Sequence, residues 1–264
     1  MHELFVNDRG IRTFTAIAGA QRCGKSFLSN ELLKYYISDF GGCGLVYGLG
    51  RNTDFADAQM GYILSIQDHQ EMFEKTERKS YNENPKINYY KIGNELFPIK
   101  NFNLKNYLRG IKVPRLPDRQ SERLFISAFF KHIANTLLII DDSRPIFRYG
   151  VESEFIQLFS RINHCGYESP AKNWRTQGSD IISIFHSLEH INNEIFDYLT
   201  HIITFRYEFA PDFRRIDNPF LREELEAIFE HLQELPLYYF SLTDIVEKKT
   251  TIYDDKKQPI YILQ

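Results

Sequence analysis

Residues 19–26 read GAQRCGKS, and the spacing of their residue types suits the binding of a polyphosphate. The stretch fits the pattern G-x-x-x-x-G-K-[ST] without a gap or a substitution. Glycine lets the backbone bend and bring N–H groups close to phosphate oxygens, and a following helix adds unpaired N–H groups and a positive dipole end. We therefore predict that Lys25 contacts the β- and γ-phosphates and that the Ser26 hydroxyl binds Mg²⁺. The predicted nucleotide-contacting residues are Gly19, Ala20, Gln21, Arg22, Cys23, Gly24, Lys25, Ser26 and Phe27.

The segments on either side of this loop have the patterns of a strand and a helix. Residues 13–19, TFTAIAG, are β-branched and apolar, which is typical of a buried strand. Residues 25–40 place apolar side chains at helical spacing. The alternative is a strand-to-helix turn with a chance GKS, but the pattern requires four residue types at fixed offsets. We interpret Cys23 as a small filler of the loop rather than as a redox switch.

Two carboxylates follow the apolar run of residues 136–142, TLLIIDD. An Asp at the tip of a buried strand can hold Mg²⁺ opposite a serine hydroxyl, and we assign this role to Asp141. Asp142 is then placed to orient or deprotonate an attacking water molecule, as hydrolysis requires. The alternative is a turn with two solvated acids, which the complete phosphate loop upstream makes the weaker interpretation.

Other polar residues follow the later predicted strands. His186 ends the run IISIFH and is a candidate sensor of the γ-phosphate, although a histidine that caps a helix or belongs to the core is the open alternative. Arginines stabilise transition-state charge, and we place Arg161 first, Arg144 second and Arg206 as a further candidate. For any single one of them, an ordinary surface or ion-pair residue is the favoured alternative. The guanine-reading pattern N-K-x-D is absent from the sequence, so ATP is the expected nucleotide.

Alternating patterns along the chain predict the fold class. They indicate an α/β P-loop NTPase with a mostly parallel central sheet, flanked by helices and followed by C-terminal β-structure. Polar tips that follow parallel strands meet at one edge of such a sheet, so the candidate residues should converge there. The predicted strands cover 43–50, 136–142, 180–187 and 200–209, and the predicted helices cover 121–133, 152–166, 190–199 and 219–235. For 54–119 we predict a short helix near 56–76 and small strands, with a flexible flap as the open alternative.

Composition sets wider limits on the protein. The chain has 264 residues, of which 43% are hydrophobic and 25% charged, and its net charge is −3. This suits one globular domain over residues 1–264, with 54–119 as an insertion, and it excludes a wholly basic nucleic-acid coat. Three widely spaced cysteines suggest a reducing compartment. The sequence shows neither an apolar leader nor a run of 18 apolar residues, so we expect a soluble protein without a membrane span.

The order of these motifs resembles the FtsK–HerA superfamily of ring-forming DNA-pumping ATPases. The likeness rests on GAQRCGKS, LLIIDD, SRINHCG and the stretch from residue 180 to residue 209, and it covers residues 12–210. Within the superfamily the chain is similar to viral genome-packaging ATPases and to phage assembly or secretion ATPases of the zonula occludens toxin-like type. The latter carry a membrane segment, which favours the packaging branch here. The chain departs from the usual pattern at Asp142, where Glu is common, at His186, where an amide is common, and at the end of the second strand.

The resemblance implies a homo-oligomeric ring in which a neighbour's arginine completes each ATP site. DNA, single- or double-stranded, would pass through the channel, and a portal or capsid vertex protein would be a further partner. Lys100, Lys105 and Arg109 are where we would look for channel contacts to the DNA backbone. The expected location is the host cytoplasm or the virion.

Two other functions fit the same phosphate loop. A small-molecule kinase, for instance for nucleosides, would transfer the phosphoryl group to a hydroxyl and would use a basic lid such as RQSER, residues 119–123. A non-hydrolysing assembly module would use ATP to lock an oligomer. The paired acids favour hydrolysis over both.

Overall fold

A computed structural model describes residues 4–5, 12–38, 43–48, 136–144, 156, 159–164 and 178–263, together with the backbone of four short strands between residues 59 and 114. The chain divides into two compact units. The first unit comprises Met1–Ser29, Ile139–Ser160 and Ile181–Gln264, and the second comprises Asn30–Leu138 and Arg161–Asp180. The prediction of one domain with an insertion at 54–119 stays a prediction.

The first unit is built around a mostly parallel sheet with an antiparallel extension. Its strands are β1 (Phe14–Ala18), β7 (Thr136–Ile140, of which Ile139 and Ile140 belong to this unit), β8 (Asp180–Phe185, of which residues 181–185 belong to this unit), β9 (His201–Phe205), β10 (Phe240–Asp244), β11 (Lys249–Tyr253) and β12 (Pro259–Leu263). Their order across the sheet is β12-β11-β10-β9-β1-β8-β7. The central strand β1 is parallel to both β8 and β9, whereas β10, β11 and β12 add as an antiparallel meander.

Burial explains why these segments form central strands. Every residue of β1, β7, β8 and β9 is buried, and their sequences are continuous β-branched and apolar runs, as strands covered on both faces require. Strands β7, β8 and β9 end two to four residues before the predicted ends, so His186 lies just beyond β8 and Arg206 just beyond β9. The polar side chains therefore follow the carboxyl ends of the strands, where α/β sheets bind ligands.

The second unit contains a smaller set of strands: β2 (Cys43–Gly48), β3 (Gln59–Ile63), β4 (Tyr89–Ile92), β5 (Glu95–Pro98) and β6 (Ile111–Pro114). Their order is β2-β6-β3-β4-β5. Strand β6 is parallel to β2 and to β3, whereas β4 is antiparallel to both β3 and β5. The helix predicted near 56–76 is wrong at residues 59–63, which form β3. Pairing with β4 and β6 decides the structure of this segment, because strand formation depends on neighbouring strands more than on local pattern.

Two long helices are described. α1 (Lys25–Ser38) follows the loop at the end of β1, and in the second unit the Tyr36 hydroxyl donates to Asp180 Oδ2 at 2.7 Å. α3 (Pro219–Gln233) begins at Asn218, whose side chain accepts the Leu221 N–H, and Pro219 fits the first helical position. Its buried face packs against β9 and β10 and consists of Leu221, Leu225, Ile228 and Leu232, a helical spacing.

The remaining helices differ from their predicted extents. The helix predicted over 190–199 is only α2 (Asn193–Phe196), preceded by a 3₁₀ turn at Leu188–His190. Of the helix predicted over 152–166, the described part ends in a 3₁₀ turn at Ile162–His164. The helix predicted over 121–133 lies outside the described residues. Across the part of the chain that the structure describes, no helix has the length and apolar character needed to cross a bilayer.

Candidate nucleotide-binding site

The loop between β1 and α1 has a backbone that only particular residues tolerate. Gly24 has φ of +104° and Arg22 has φ of +60°, so the chain turns twice through the left-handed region. The Leu28 N–H donates to the Gly24 carbonyl at 2.9 Å, which begins the helix directly after the loop. The first-turn N–H groups of α1 consequently face the loop, as an anion-binding helix terminus requires.

Gly19 is required because β9 approaches the loop closely. A Cβ at this position would lie 2.7 Å from Cβ of Phe205 and 3.0 Å from Sγ of Cys23. The Ala20 N–H donates to the Arg206 carbonyl at 3.2 Å, which ties the start of the loop to the end of β9. The loop is thus held on one side by the strand next to β1.

Lys25 is folded back into the loop. Its ammonium donates to the Gly19 carbonyl at 2.8 Å and to the Ala20 carbonyl, and it lies 3.7 Å from Sγ of Cys23. Burial lowers the pKa of Lys25, while the neighbouring Cys23 and the charge of Asp141 act in the opposite direction. A buried ammonium that is bonded only to carbonyls and a thiol is a strong attractor for phosphate oxygens.

Cys23 is fully buried inside the loop. Burial raises the pKa of its thiol, and the neighbouring Lys25 only partly offsets this effect. A buried thiol with a raised pKa is a poor nucleophile, so the environment matches the interpretation of Cys23 as a filler.

The acids lie where β7 ends. Asp141 is buried and close enough to Lys25 for the two charges to interact. Asp142 is half-buried with φ of +49°, and its Oδ1 lies 3.7 Å from Nε2 of His186. The Ser143 N–H donates to the Ile184 carbonyl at 2.9 Å, which fastens the turn after β7 to the end of β8. The structure therefore brings Lys25, both acids and His186 to one edge of the sheet.

The arginines are placed differently from one another. Arg144 is exposed two residues after Asp142. Burial lowers the pKa of His190, and the charge of Arg144 lowers it further. Arg206 is held by α3 and the residues after it, since it donates to Oε1 of Gln233 at 3.3 Å and to the Leu235 carbonyl at 3.5 Å. Arg161 belongs to the second unit, where it is exposed and its carbonyl accepts the His164 N–H. The roles predicted for these arginines stay predictions.

The other residues predicted to contact the nucleotide differ in their exposure to solvent. Gln21 and Arg22 are exposed, Ala20 and Ser26 are half-buried, and Phe27 is 61% exposed although it is large and apolar. Lys100, Lys105 and Arg109 lie outside the described residues. Sequence reasoning did not identify Phe205 or Tyr238 as neighbours of the loop, because both lie more than 180 residues further along the chain and carry no motif.

The residues present fit a nucleoside triphosphate with Mg²⁺. The loop offers a close backbone approach at Gly19, a buried ammonium and a helix N-terminus, and Ser26 and Asp141 are oxygen donors of the kind that Mg²⁺ prefers. Within the described ranges no group of three His, Cys, Asp or Glu side chains could hold a metal by itself. Mg²⁺ does not need such a group, because it usually takes one or two protein oxygens, phosphate oxygens and water.

A phosphate loop between a buried parallel strand and a helix, with two acids directly after β7, which is separated from β1 by β8, defines a P-loop NTPase fold. Among solved structures, the chain is similar to the genome packaging NTPase B204 from Sulfolobus turreted icosahedral virus 2 in complex with ATP-gammaS, with a TM-score of 0.61 and 14% identity over 94% of this chain and 98% of that one. The same NTPase in complex with AMP has a TM-score of 0.60 and 15% identity over 95% and 98% of the two chains. The crystal structure of B204, the DNA-packaging ATPase from Sulfolobus Turreted Icosahedral Virus, has a TM-score of 0.55 and 15% identity over 94% and 98%. No protein-family model and no curated protein sequence matches the chain.

Proposed function

We propose that this chain is an ATP-hydrolysing DNA translocase, and specifically the motor ATPase of a viral genome-packaging machine that acts as a homo-oligomeric ring. The observation that carries the proposal is the convergence of Lys25, Asp141, Asp142 and His186 at one edge of the sheet. The similarity of fold to packaging NTPases over 94% of the chain supports it.

The proposed roles follow from where these side chains lie. Bound Mg-ATP would supply a γ-phosphoryl group whose developing charge the metal offsets. Lys25 would direct its ammonium to phosphate oxygens, and Ser26 and Asp141 would hold the metal. Asp142 would take the proton of the attacking water, and His186, at 3.7 Å from Asp142, would orient that carboxylate and sense the phosphate.

The ring and the DNA belong to the proposal as well. Each site would be completed by an arginine from the neighbouring subunit, with Arg161 first and Arg144 second. Arg161 is exposed, so it is accessible to a second copy. Single- or double-stranded DNA would be bound through its phosphate backbone, and Lys100, Lys105 and Arg109 are candidate contacts. A portal or capsid vertex protein would be the partner protein. The complex would act in the host cytoplasm or the virion.

The first experiment is the ATP hydrolysis rate as a function of protein concentration, with and without DNA, for the wild type and Lys25→Ala. We expect the rate per subunit to rise cooperatively with concentration, to rise again with DNA and to vanish in the variant. A rate per subunit that is flat and indifferent to DNA would contradict the ring and the DNA substrate. Screening hydroxyl acceptors would then test the small-molecule kinase.

A mixing experiment tests the arginine. Subunits with Lys25→Ala have a disabled site but keep every arginine, whereas subunits with Arg161→Ala keep the site and lose the proposed arginine. If the arginine acts on a neighbour's site, a mixture of the two inactive variants should recover part of the wild-type rate. The matched mixture with Arg144→Ala shows which of the two arginines acts in this way, and absence of recovery in both mixtures would contradict a shared site.

A further inference from the structure

A mostly apolar cavity of about 410 Å³ lies beside the phosphate loop within the first unit. Its walls come from the loop and first turn of α1, from the end of β9, from the start of β10 and from the turn between β11 and β12. The lining residues are Gly24, Phe27, Leu28, Phe205, Tyr238, Phe240, Asp255 and Lys257. A volume of this order suits a small-molecule ligand.

The cavity is continuous with the phosphate loop. Gly24 belongs to both, and a Cβ at this residue would lie 3.4 Å from the ring of Tyr238 and 3.5 Å from the ring of Phe205. Phe27, two residues after Lys25, forms part of the wall. A ligand whose phosphates contact the loop would therefore have the rest of its molecule next to these aromatic rings.

The surfaces of the cavity are flat, aromatic and accessible. Phe27 is 61% exposed and Tyr238 is 54% exposed, which is unusual for large apolar side chains gathered at one concave place. The rings of Phe205 and Phe240, which also line the cavity, are buried and contact each other with centroids 5.3 Å apart, so packing holds both rings in place. Lys257 lies at the rim, with Nζ 5.2 Å from the centroid of Phe27.

We propose that this cavity binds the nucleobase of the nucleotide and holds it by stacking and apolar contact. The proposal rests on the proposed function, because it takes the loop as the site of the phosphates. Charged side chains occur in the lining only at Asp255 and Lys257, in the β11–β12 turn, so aromatic surface is the main recognition element. Stacking tolerates different bases because every base has a π-face, and we therefore expect adenine and guanine nucleotides to bind within about tenfold of each other.

The test compares a non-hydrolysable ATP analogue and its GTP counterpart with tripolyphosphate, which has no base, by titration calorimetry. The variants are Phe27→Ala, Tyr238→Ala and Phe27→Leu, the last of which keeps apolar volume without a ring. We expect each to weaken binding of both nucleotide analogues, by about 5- to 100-fold for the alanine variants, and to leave tripolyphosphate binding unchanged. The matched control is Phe209→Ala, since Phe209 is 83% exposed and outside the cavity lining.

The results of these titrations distinguish an error in the base-binding cavity from an error in the phosphate loop. An equal loss of nucleotide and tripolyphosphate binding, or no loss of either, would overturn the base-binding cavity while leaving the phosphate loop in place. A preference for one purine well above tenfold would overturn recognition by stacking alone. Wild-type protein that binds neither kind of probe would overturn the phosphate loop and the cavity assignment with it.

Discussion

Replacing Gly19 by alanine places a methyl group where β9 leaves no space for it. The new Cβ would lie 2.7 Å from Cβ of Phe205 and 3.3 Å from its Cα. Carbon atoms in contact ordinarily lie about 3.5–4.0 Å apart, so the loop and the strand would have to separate by about 1 Å. Phe205 is fixed by pairing of β9 with β10, so the strand cannot yield by a side-chain rotation.

Gly24 gives a matched comparison for the size of this effect. Overpacking of a buried contact costs about 1–3 kcal/mol. At Gly24, where φ is +104°, an added Cβ would meet only ring atoms at 3.4 Å and 3.5 Å, which are ordinary contacts. Gly24→Ala thus carries backbone strain alone, whereas Gly19→Ala, at φ of +156°, carries strain and overlap. We expect Gly19→Ala to lower the free energy of unfolding by about 1–3 kcal/mol more than Gly24→Ala does.

Urea unfolding followed by far-ultraviolet circular dichroism measures this difference. The slopes of the two transitions should agree, so that the midpoints report stability. Equal stability of the two variants, or a more stable Gly19→Ala, would refute the reasoning from close approach. Binding of tripolyphosphate to the folded variants then shows whether the same displacement distorts the loop.

Three further predictions concern single side chains. Tyr36→Phe removes a hydrogen bond of 2.7 Å to buried Asp180, and we expect the free energy of unfolding to fall by about 1.5–3 kcal/mol in urea titrations; an unchanged midpoint would contradict this. Burial acts to raise the pKa of Asp244, but hydrogen bonds from the His201 side chain and nearby backbone N–H groups leave this pKa below the ordinary 3.8. The ionised carboxylate therefore stabilises the folded state above pH 3.8, and this stabilisation is lost as the pH falls through the lowered pKa. Asp244→Asn should therefore flatten the acid limb of a stability–pH profile, and a profile parallel to the wild type would argue against the role. Asp142→Asn should keep nucleotide affinity and lower the hydrolysis rate by about 10²–10⁴, as loss of a general base does, while an undiminished rate would contradict the role of Asp142 as the base.

Much of this site could be read from the sequence because its signals are local. The phosphate loop needs particular residue types at fixed offsets along one short segment, and Gly19 to Ser26 meet that requirement without reference to any other part of the chain. The run that ends in Asp141 and Asp142 is recognisable for the same reason, since a continuous apolar stretch followed by carboxylates indicates a buried strand and its tip. The parallel sheet followed from the alternation of such runs with helical patterns.

Only the tertiary structure decided which distant residues meet at these local motifs. Residues 59–63 form a strand, not the predicted helix, because β4 and β6 lie beside them, and no pattern within the segment reveals its partners. The contact of Phe205 with Gly19 and the aromatic cavity formed with Tyr238 join residues more than 180 positions apart. Such contacts depend on strand order and register, which are fixed by packing of the whole sheet. The sequence by itself therefore determined the phosphate-loop motif, and the packing of β9 and β10 decided what surrounds it.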